Sequence, residues 1–367
     1  MNFEPTEIQT LLQDSAQAYA TARRRRVGAS PAQRHTDDWQ TLVDMGWLAL
    51  ALPEAQGGMD GGAVEAMLIM QALGHCHSRE PYATTALIGA RALSRWGSDS
   101  QREQWLPQLL AGHLRMAWMN GETWANSVTP RASVVARGAA AGYVLSGTQA
   151  LVLDGGQADL LLVNAKREGD GANLLFALRT DQPSVRRQSI ERLDGGLACA
   201  LSLHDLPASE ADLIGTPEQA QAIQLILAQH ALAANCAETV GIMLALHAQT
   251  VDYLKVRRQF GRAIGSFQVL QHAAVDMLIA TELSQSIVMA ACMALDDGAA
   301  DAALRLHQAK WIVSGHARTV RHSAVQLHGG MGMTDELEIG AYFKRLMVLE
   351  KTGGSPQQIL RQAVAVG

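Results

Sequence analysis

The 367 residues carry a formal charge of −5, with 48% hydrophobic and 18% charged residues. That balance suits a large core with buried subunit contacts; it excludes a disordered chain and argues against general nucleic-acid affinity. Four cysteines (Cys76, Cys199, Cys236 and Cys292) stand far apart, so no metal-ligand spacing or disulfide framework is expected, and reduced thiols in a cytoplasmic protein are.

Met1 to Gln17 is acidic and amphipathic, without a basic region followed by an apolar block, so no signal peptide is expected. No apolar run approaches membrane-spanning length. Apolar residues recur at helical intervals in Ile8-Leu11-Leu12-Ala16 and in Trp39-Leu42-Val43-Met45. Arg23 to Arg26 reads as the solvated end of an N-terminal helix. Leu52-Pro53-Glu54-Ala55-Gln56-Gly57-Gly58 is a breaker cluster. Met67 to Gly74 reads as a buried helix ending at its glycine, and Gly97-Ser98-Asp99-Ser100-Gln101 as a capped helix start.

The period then changes. Tyr143–Gly147, Ala150–Leu153, Asp159–Val163 and Asn173–Leu178 are short apolar runs bounded by turn residues, predicting a small sheet or barrel. Helical spacing returns over Glu218–Val256, Phe267–Leu295 and Ala299–Val325, three long segments with short links that predict a bundle. The expected division is a helical domain over 1–114, a β-domain over 115–216 and a helical bundle over 217–367.

Between the first two long segments lies Arg257-Arg258-Gln259-Phe260-Gly261-Arg262-Ala263-Ile264-Gly265-Ser266-Phe267-Gln268. Glycines, cations and amides at a helix end suit an anion, a ribose or an adenine; an ordinary solvated turn is the other reading. With Gln326-Leu327-His328-Gly329-Gly330-Met331-Gly332-Met333-Thr334-Asp335-Glu336, this stretch resembles the two C-terminal fingerprints of the acyl-CoA dehydrogenase family. Pro53-Glu54, Gly57-Gly58, Gly97-Ser98, Gln101 and the pair Ser146-Gly147-Thr148-Gln149 with Ala158-Asp159 extend the resemblance over nearly the whole chain.

The resemblance implies an α+β, mainly α fold: an N-terminal helical domain, a middle β-barrel domain and a C-terminal four-helix bundle. It implies FAD as cofactor, an acyl-CoA thioester as substrate and an electron-transferring flavoprotein as electron acceptor. In the family, both fingerprints reach the adenosine-diphosphate end of FAD from the neighbouring subunit. By resemblance Arg257, Phe260, Gln268, Gln326, Gly329 and Gly330 take that role here. Simpler readings stand beside it. Gly329 and Gly330 permit a tight turn between helices, His328 packs, Gln271 and His272 stay on the bundle face, and Arg258 and Arg262 are solvated.

The family's reaction also requires a glutamate to take the α-proton while flavin takes the β-hydrogen as hydride. Counted without gaps from the fingerprints, its two alternative positions fall on Gly353 and Ala231, so no catalytic residue is assigned. Gln229 and His230 adjoin Ala231 but point about 100° away around the helix; displaced bases would be Glu350 or Glu238. The family's ring-binding loop corresponds to Gly121-Glu122-Thr123-Trp124-Ala125-Asn126-Ser127, and its Trp-x-Thr strand to Leu151 and Leu153. Leucine packs against a ring but makes no hydrogen bond to it.

The site elements contributed to a neighbour are therefore intact, and those serving the chain's own flavin are degraded. That asymmetry predicts one subunit of an α2β2 heteromer, resembling paired subunits that act on bulky, steroid-type CoA esters in bacterial catabolism. A self-sufficient flavoenzyme with a displaced base or non-oxidative thioester chemistry, and a non-catalytic structural or regulatory homologue, are the alternatives.

Overall fold

The computed structural model describes residues 4–25, 38–121, 134–140, 142–334 and 336–366. In chain order come α1 (Glu7–Arg25), α2 (Asp38–Asp44), α3 (Ala63–His75), a π-helical stretch (Ala83–Ala90) running into α4 (Arg91–Trp96), and α5 (Asp99–Leu110). Seven strands follow: β1 (Met116–Met119), β2 (Val134–Ala139), β3 (Gly142–Leu153), β4 (Leu160–Arg167), β5 (Asn173–Arg179), β6 (Val185–Glu191) and β7 (Leu197–Ala208). The remainder is α6 (Pro217–Val256), the two-residue strands β8 (Arg258–Gln259) and β9 (Arg262–Ala263), α7 (Gln268–Asp296), α8 (Ala302–His328), α9 (Ile339–Lys351) and α10 (Pro356–Val366).

By internal contacts the chain divides into two compact units. One comprises 1–29, 63–78 and 232–367; the other comprises 30–62 and 79–231.

The second unit holds the sheet. Its strands run in the order β1-β4-β2-β3-β7-β6, with β5 on the other edge of β4. The β1/β4 and β2/β4 pairs are parallel and the rest antiparallel. Leu145, Val152, Leu161, Val163, Phe176 and Leu201 fill one apolar core. The runs Tyr143–Gly147 and Ala150–Leu153 are parts of a single strand, β3, interrupted by a bulge between Gln149 and Val152. An extra residue there shifts the inward-facing set, so both Gln149 and Val152 are buried although they lie three apart. The predicted capped start is present: Ser98 Oγ accepts from Gln101 N–H (3.2 Å) and Gln101 Oε1 accepts from Ser98 N–H (2.8 Å). The Gln101 amide then donates to the Ala211 and Leu213 carbonyls, tying α5 to the chain that leaves the sheet.

The other unit packs α1, α3, the distal part of α6 and α7 to α10. Its core joins Ile242, Met243, Leu246, Met277, Val320 and Tyr342. Gly74 does not end its helix by a left-handed cap. It lies inside α3, where a Cβ would fall 2.2 Å from the Glu238 carbonyl oxygen of α6. Gly241 is its counterpart on α6, with a Cβ position 2.0 Å from the Gln71 carbonyl oxygen. The two backbones thus approach too closely for any side chain. Gly241→Ala is expected to cost about 1–3 kcal/mol or more through overpacking, measured as a lower urea midpoint with an unchanged m-value.

Two helices exceed the sequence expectation for membrane-spanning length. α6 and α7 contain 18-residue windows of mean hydropathy 1.3 and 1.6. The window in α6 is 72% buried within the protein and that in α7 39%, so burial accounts for most of the apolar character of α6. The four cysteines are buried, and none is joined in a disulfide.

Candidate functional site

The site is built at the ends of two helices. α6 stops at Val256, and Arg257 leads into a hairpin closed by Ile264 N–H donating to the Arg257 carbonyl (2.8 Å). The tip is Phe260-Gly261, both left-handed, at φ 53° and 80°. Glycine tolerates that conformation, whereas phenylalanine is strained by it. Phe260 is 89% exposed. Its ring meets Phe267 edge-on at 6.0 Å, and the Arg262 guanidinium stacks 4.1 Å from the Phe267 ring centroid. Arg262 is therefore not merely solvated; it braces the hairpin from below by cation–π attraction. The signal was present as an arginine and a phenylalanine five residues apart, but only the tight hairpin folds one over the other.

α8 ends at His328, and Gly329 takes φ 60°, ψ −139°. That conformation is open to glycine. A Cβ added at Gly329 or Gly330 would meet nothing within 4 Å, so the turn leaves open space above its backbone. The two helix ends are joined through Tyr253 and His328, whose rings lie 4.4 Å apart; the Tyr253 hydroxyl is 3.4 Å from the His328 carbonyl oxygen. His328 is buried and its Nδ1 lies 2.8 Å from the Ala324 carbonyl oxygen. Burial, partly opposed by that backbone contact, lowers its pKa. It is a packing residue.

The structure thus brings Arg257 and Phe260 to one helix end and Gln326, Gly329 and Gly330 to another that abuts it. All five, with Gln268 at the start of α7, are exposed. Gln271 is tied locally, its amide donating to the Gly265 carbonyl (2.8 Å). An exposed arginine, an exposed aromatic face, two free amides and an uncrowded glycine turn fit the diphosphate and adenosine of a dinucleotide.

The residues on which the sequence count places the family's base are different in kind. Gly353 and Gly354 have φ 78° and 121°, where a side chain is strained, and a Cβ on Gly353 would sit 3.3 Å from Leu232. Ala231 precedes Leu232 in α6. His230, beside it, is held neutral: burial and the charges of Arg91 and Arg95 lower its pKa to about 3.

Glu350 is 5% exposed. It accepts from Arg318 at 2.6 Å, pairs with Arg321 at 2.8 Å and has Lys351 at 3.6 Å. Burial alone would raise its pKa; the two arginines outweigh it and hold the carboxyl below its usual value. Glu238 is gripped by Arg345 through two bonds of 2.6 and 2.8 Å. Both carboxylates are committed to buried ion pairs. Lys310, which the sequence reading did not single out, is 2% exposed. It donates to Asn235 Oδ1 and to the Leu349 carbonyl, each at 2.6 Å, pinning the end of α9 just before the 352–354 turn.

Leu151 and Leu153, where the resemblance places the family's Trp-x-Thr strand, lie on β3, each partly exposed. Of the corresponding loop, Gly121 is described; residues 122–127 lie outside the described residues.

Comparison with known proteins shows the family. The acyl-CoA dehydrogenase N-terminal domain model matches residues 6–113, and the C-terminal domain model of the same family matches residues 224–366. The chain belongs to the acyl-CoA dehydrogenase family, and its helical domains and central mixed sheet form that family's fold. It is 27% identical over 332 residues to acyl-CoA dehydrogenase FadE27 of Mycobacterium tuberculosis, covering 88% of this chain and 86% of that protein. Among solved structures it resembles the ChsE4–ChsE5 complex from Mycobacterium tuberculosis, with a TM-score of 0.89, 24% identity and 100% and 98% coverage. It also resembles the Tcur3481–Tcur3483 steroid acyl-CoA dehydrogenase in its G363A variant, with a TM-score of 0.85, 29% identity and 98% and 97% coverage.

Proposed function

We propose that this chain is the base-lacking subunit of an FAD-dependent acyl-CoA dehydrogenase, assembled with a homologous chain that carries the catalytic glutamate. The observation that carries the reading is an asymmetry within one polypeptide. The residues that the resemblance assigns to a neighbour's cofactor are present and exposed, and the Gly329-Gly330 turn is uncrowded. The base positions are Gly353 and Ala231, and the nearby carboxylates Glu350 and Glu238 are locked in ion pairs. A carboxylate held below its usual pKa by two arginines is a weak base toward a C–H bond.

When bound, FAD supplies the hydride acceptor. In this reading Arg257 holds the diphosphate, Phe260 covers the adenine, Gln268 and Gln326 hydrogen-bond the adenosine end, and Gly329-Gly330 allows the backbone close. The α-proton of the thioester goes to the partner's base. The proposed substrate is a bulky, steroid-type acyl-CoA, a class supported by the likeness to a steroid dehydrogenase of two chains. The proposed electron acceptor is an electron-transferring flavoprotein, the proposed location the cytoplasm, and the proposed boundaries fall after residues 114 and 216.

The test is the flavin-to-protein ratio of the chain purified alone and co-expressed with a neighbouring dehydrogenase-like chain. The expected result is no flavin alone and about one FAD per pair. One FAD per lone chain would favour a self-sufficient flavoenzyme, and no flavin in any complex a structural or regulatory protein.

A further inference from the structure

One side chain ties Gly121 to β3. Gln149 on β3 is 4% exposed. Its Oε1 accepts from Gly121 N–H at 3.0 Å, at the start of the loop that corresponds to the family's ring-binding segment. Its Nε2 donates to the Leu151 carbonyl at 3.0 Å and to Asn120 Oδ1 at 3.3 Å. The bulge between Gln149 and Val152 interrupts the β3/β7 ladder at Leu151, and the Gln149 amide takes up the Leu151 carbonyl. The network continues inward: Asn164 Nδ2 donates to the Asn120 carbonyl at 3.2 Å, and Trp118 Nε1 donates to Asn164 Oδ1 at 2.9 Å.

We propose that Gln149 is a positioning residue that sets ligand preference. It draws Gly121 N–H and the Leu151 carbonyl into a closed internal network, so that this chain's ring-side face presents leucine methyls and excludes a flavin. The polar edge of an isoalloxazine loses its water on docking and must find donors and acceptors in exchange. Gly121 N–H and the Leu151 carbonyl are already committed. Leu151 and Leu153, two residues apart on β3, lie on the same side of the strand and are partly exposed, opposite the buried Val152, and that surface matches hydrocarbon. The proposal rests on the reading that the flavin ring belongs to the partner, and it names the residue that keeps the ring out of this chain.

The probe is FMN, which carries the ring without the adenosine end and so bypasses the Arg257 region. The lone wild-type chain is compared with Gln149→Ala by fluorescence titration and by amide exchange at Gly121, with amides of the β4/β5 ladder as the fold control. For wild type, no FMN binding and a slowly exchanging Gly121 are expected. For Gln149→Ala, Gly121 exchange should rise and FMN affinity should increase on the order of tenfold, the scale of one or two released hydrogen-bonding groups. Faster exchange with unchanged FMN binding would make Gln149 merely structural and overturn the proposal; so would FMN binding by wild type.

If the alanine variant does not fold, Gln149→Glu retains the acceptor for Gly121 and loses the donor to Leu151. Gly121 should then stay protected while amides around Leu151 exchange faster, and uniform protection at both places would overturn the proposal. A pair lacking flavin would sink the heteromer reading and leave these FMN results standing; faster Gly121 exchange with unchanged FMN binding would sink this proposal alone, and FMN bound by the lone wild-type chain would sink both.

Discussion

Glu350→Gln is expected to lower stability by about 3–5 kcal/mol, the cost of breaking a buried ion pair from one side. The Glu350 side chain is 4% exposed and its partner Arg321 7%. Arg318 is 55% exposed and can return to water. Arg321 cannot, although its guanidinium also lies 5.4 Å from the Phe343 ring; neutralising Glu350 leaves that charge buried and uncompensated. The pH dependence follows from the lowered pKa of Glu350. The unfolded glutamate titrates at about 4.3, and the folded one below its usual value. The ion-paired contribution is therefore fully present above about pH 4.3 and is lost as pH falls through the folded pKa. Urea unfolding at pH 7 and again in acid should show the wild-type advantage shrinking. An equal midpoint for the two proteins at pH 7 would mean that Glu350 is free, and its candidacy as a base would reopen.

Arg257→Ala in the proposed pair is expected to weaken FAD binding by roughly tenfold to a hundredfold, the range of about 1.5–3 kcal/mol for a hydrogen bond to a charged group. Arg257 is exposed at the end of α6, so stability should move by no more than about 0.5 kcal/mol. Arg257→Lys should recover part of the loss, because lysine keeps the charge but not the planar fork that matches two phosphate oxygens. The measurement is FAD titration of the apo pair, with the melting temperature as control. Unchanged flavin affinity in the alanine variant would remove Arg257 from the cofactor site and weaken the assignment of its neighbours.

Much of the fold was legible because its signals are local. Helical periodicity marked the long helices to within a few residues, and Ser98 with Gln101 announced a helix start that the structure closes as a reciprocal cap. The strands were less legible. β6, for example, carries Arg186, Arg187 and Gln188, and its pairing partner β7, rather than its own pattern, makes it a strand. The bulge in β3 was invisible because it is a register relation with β7. In the sequence Gly74 suggests a helix stop because glycine often serves there; the approach of α6 at Glu238 supplies the actual reason.

For this protein, the sequence by itself determined the family resemblance and the two C-terminal fingerprints, and it is what the proposed loss of the base at Gly353 and Ala231 is read from. Those are matters of residue identity at spacings counted along one chain. Only the tertiary structure decided that Tyr253 and His328 join the two fingerprint regions, that Arg262 braces Phe267, and that Glu350 and Glu238 are held by arginines. It also decided that Gln149 ties Gly121 to Leu151. These contacts join residues far apart in sequence or turned on themselves in a tight hairpin. Burial and close approach set their energies, and neither is written in local pattern.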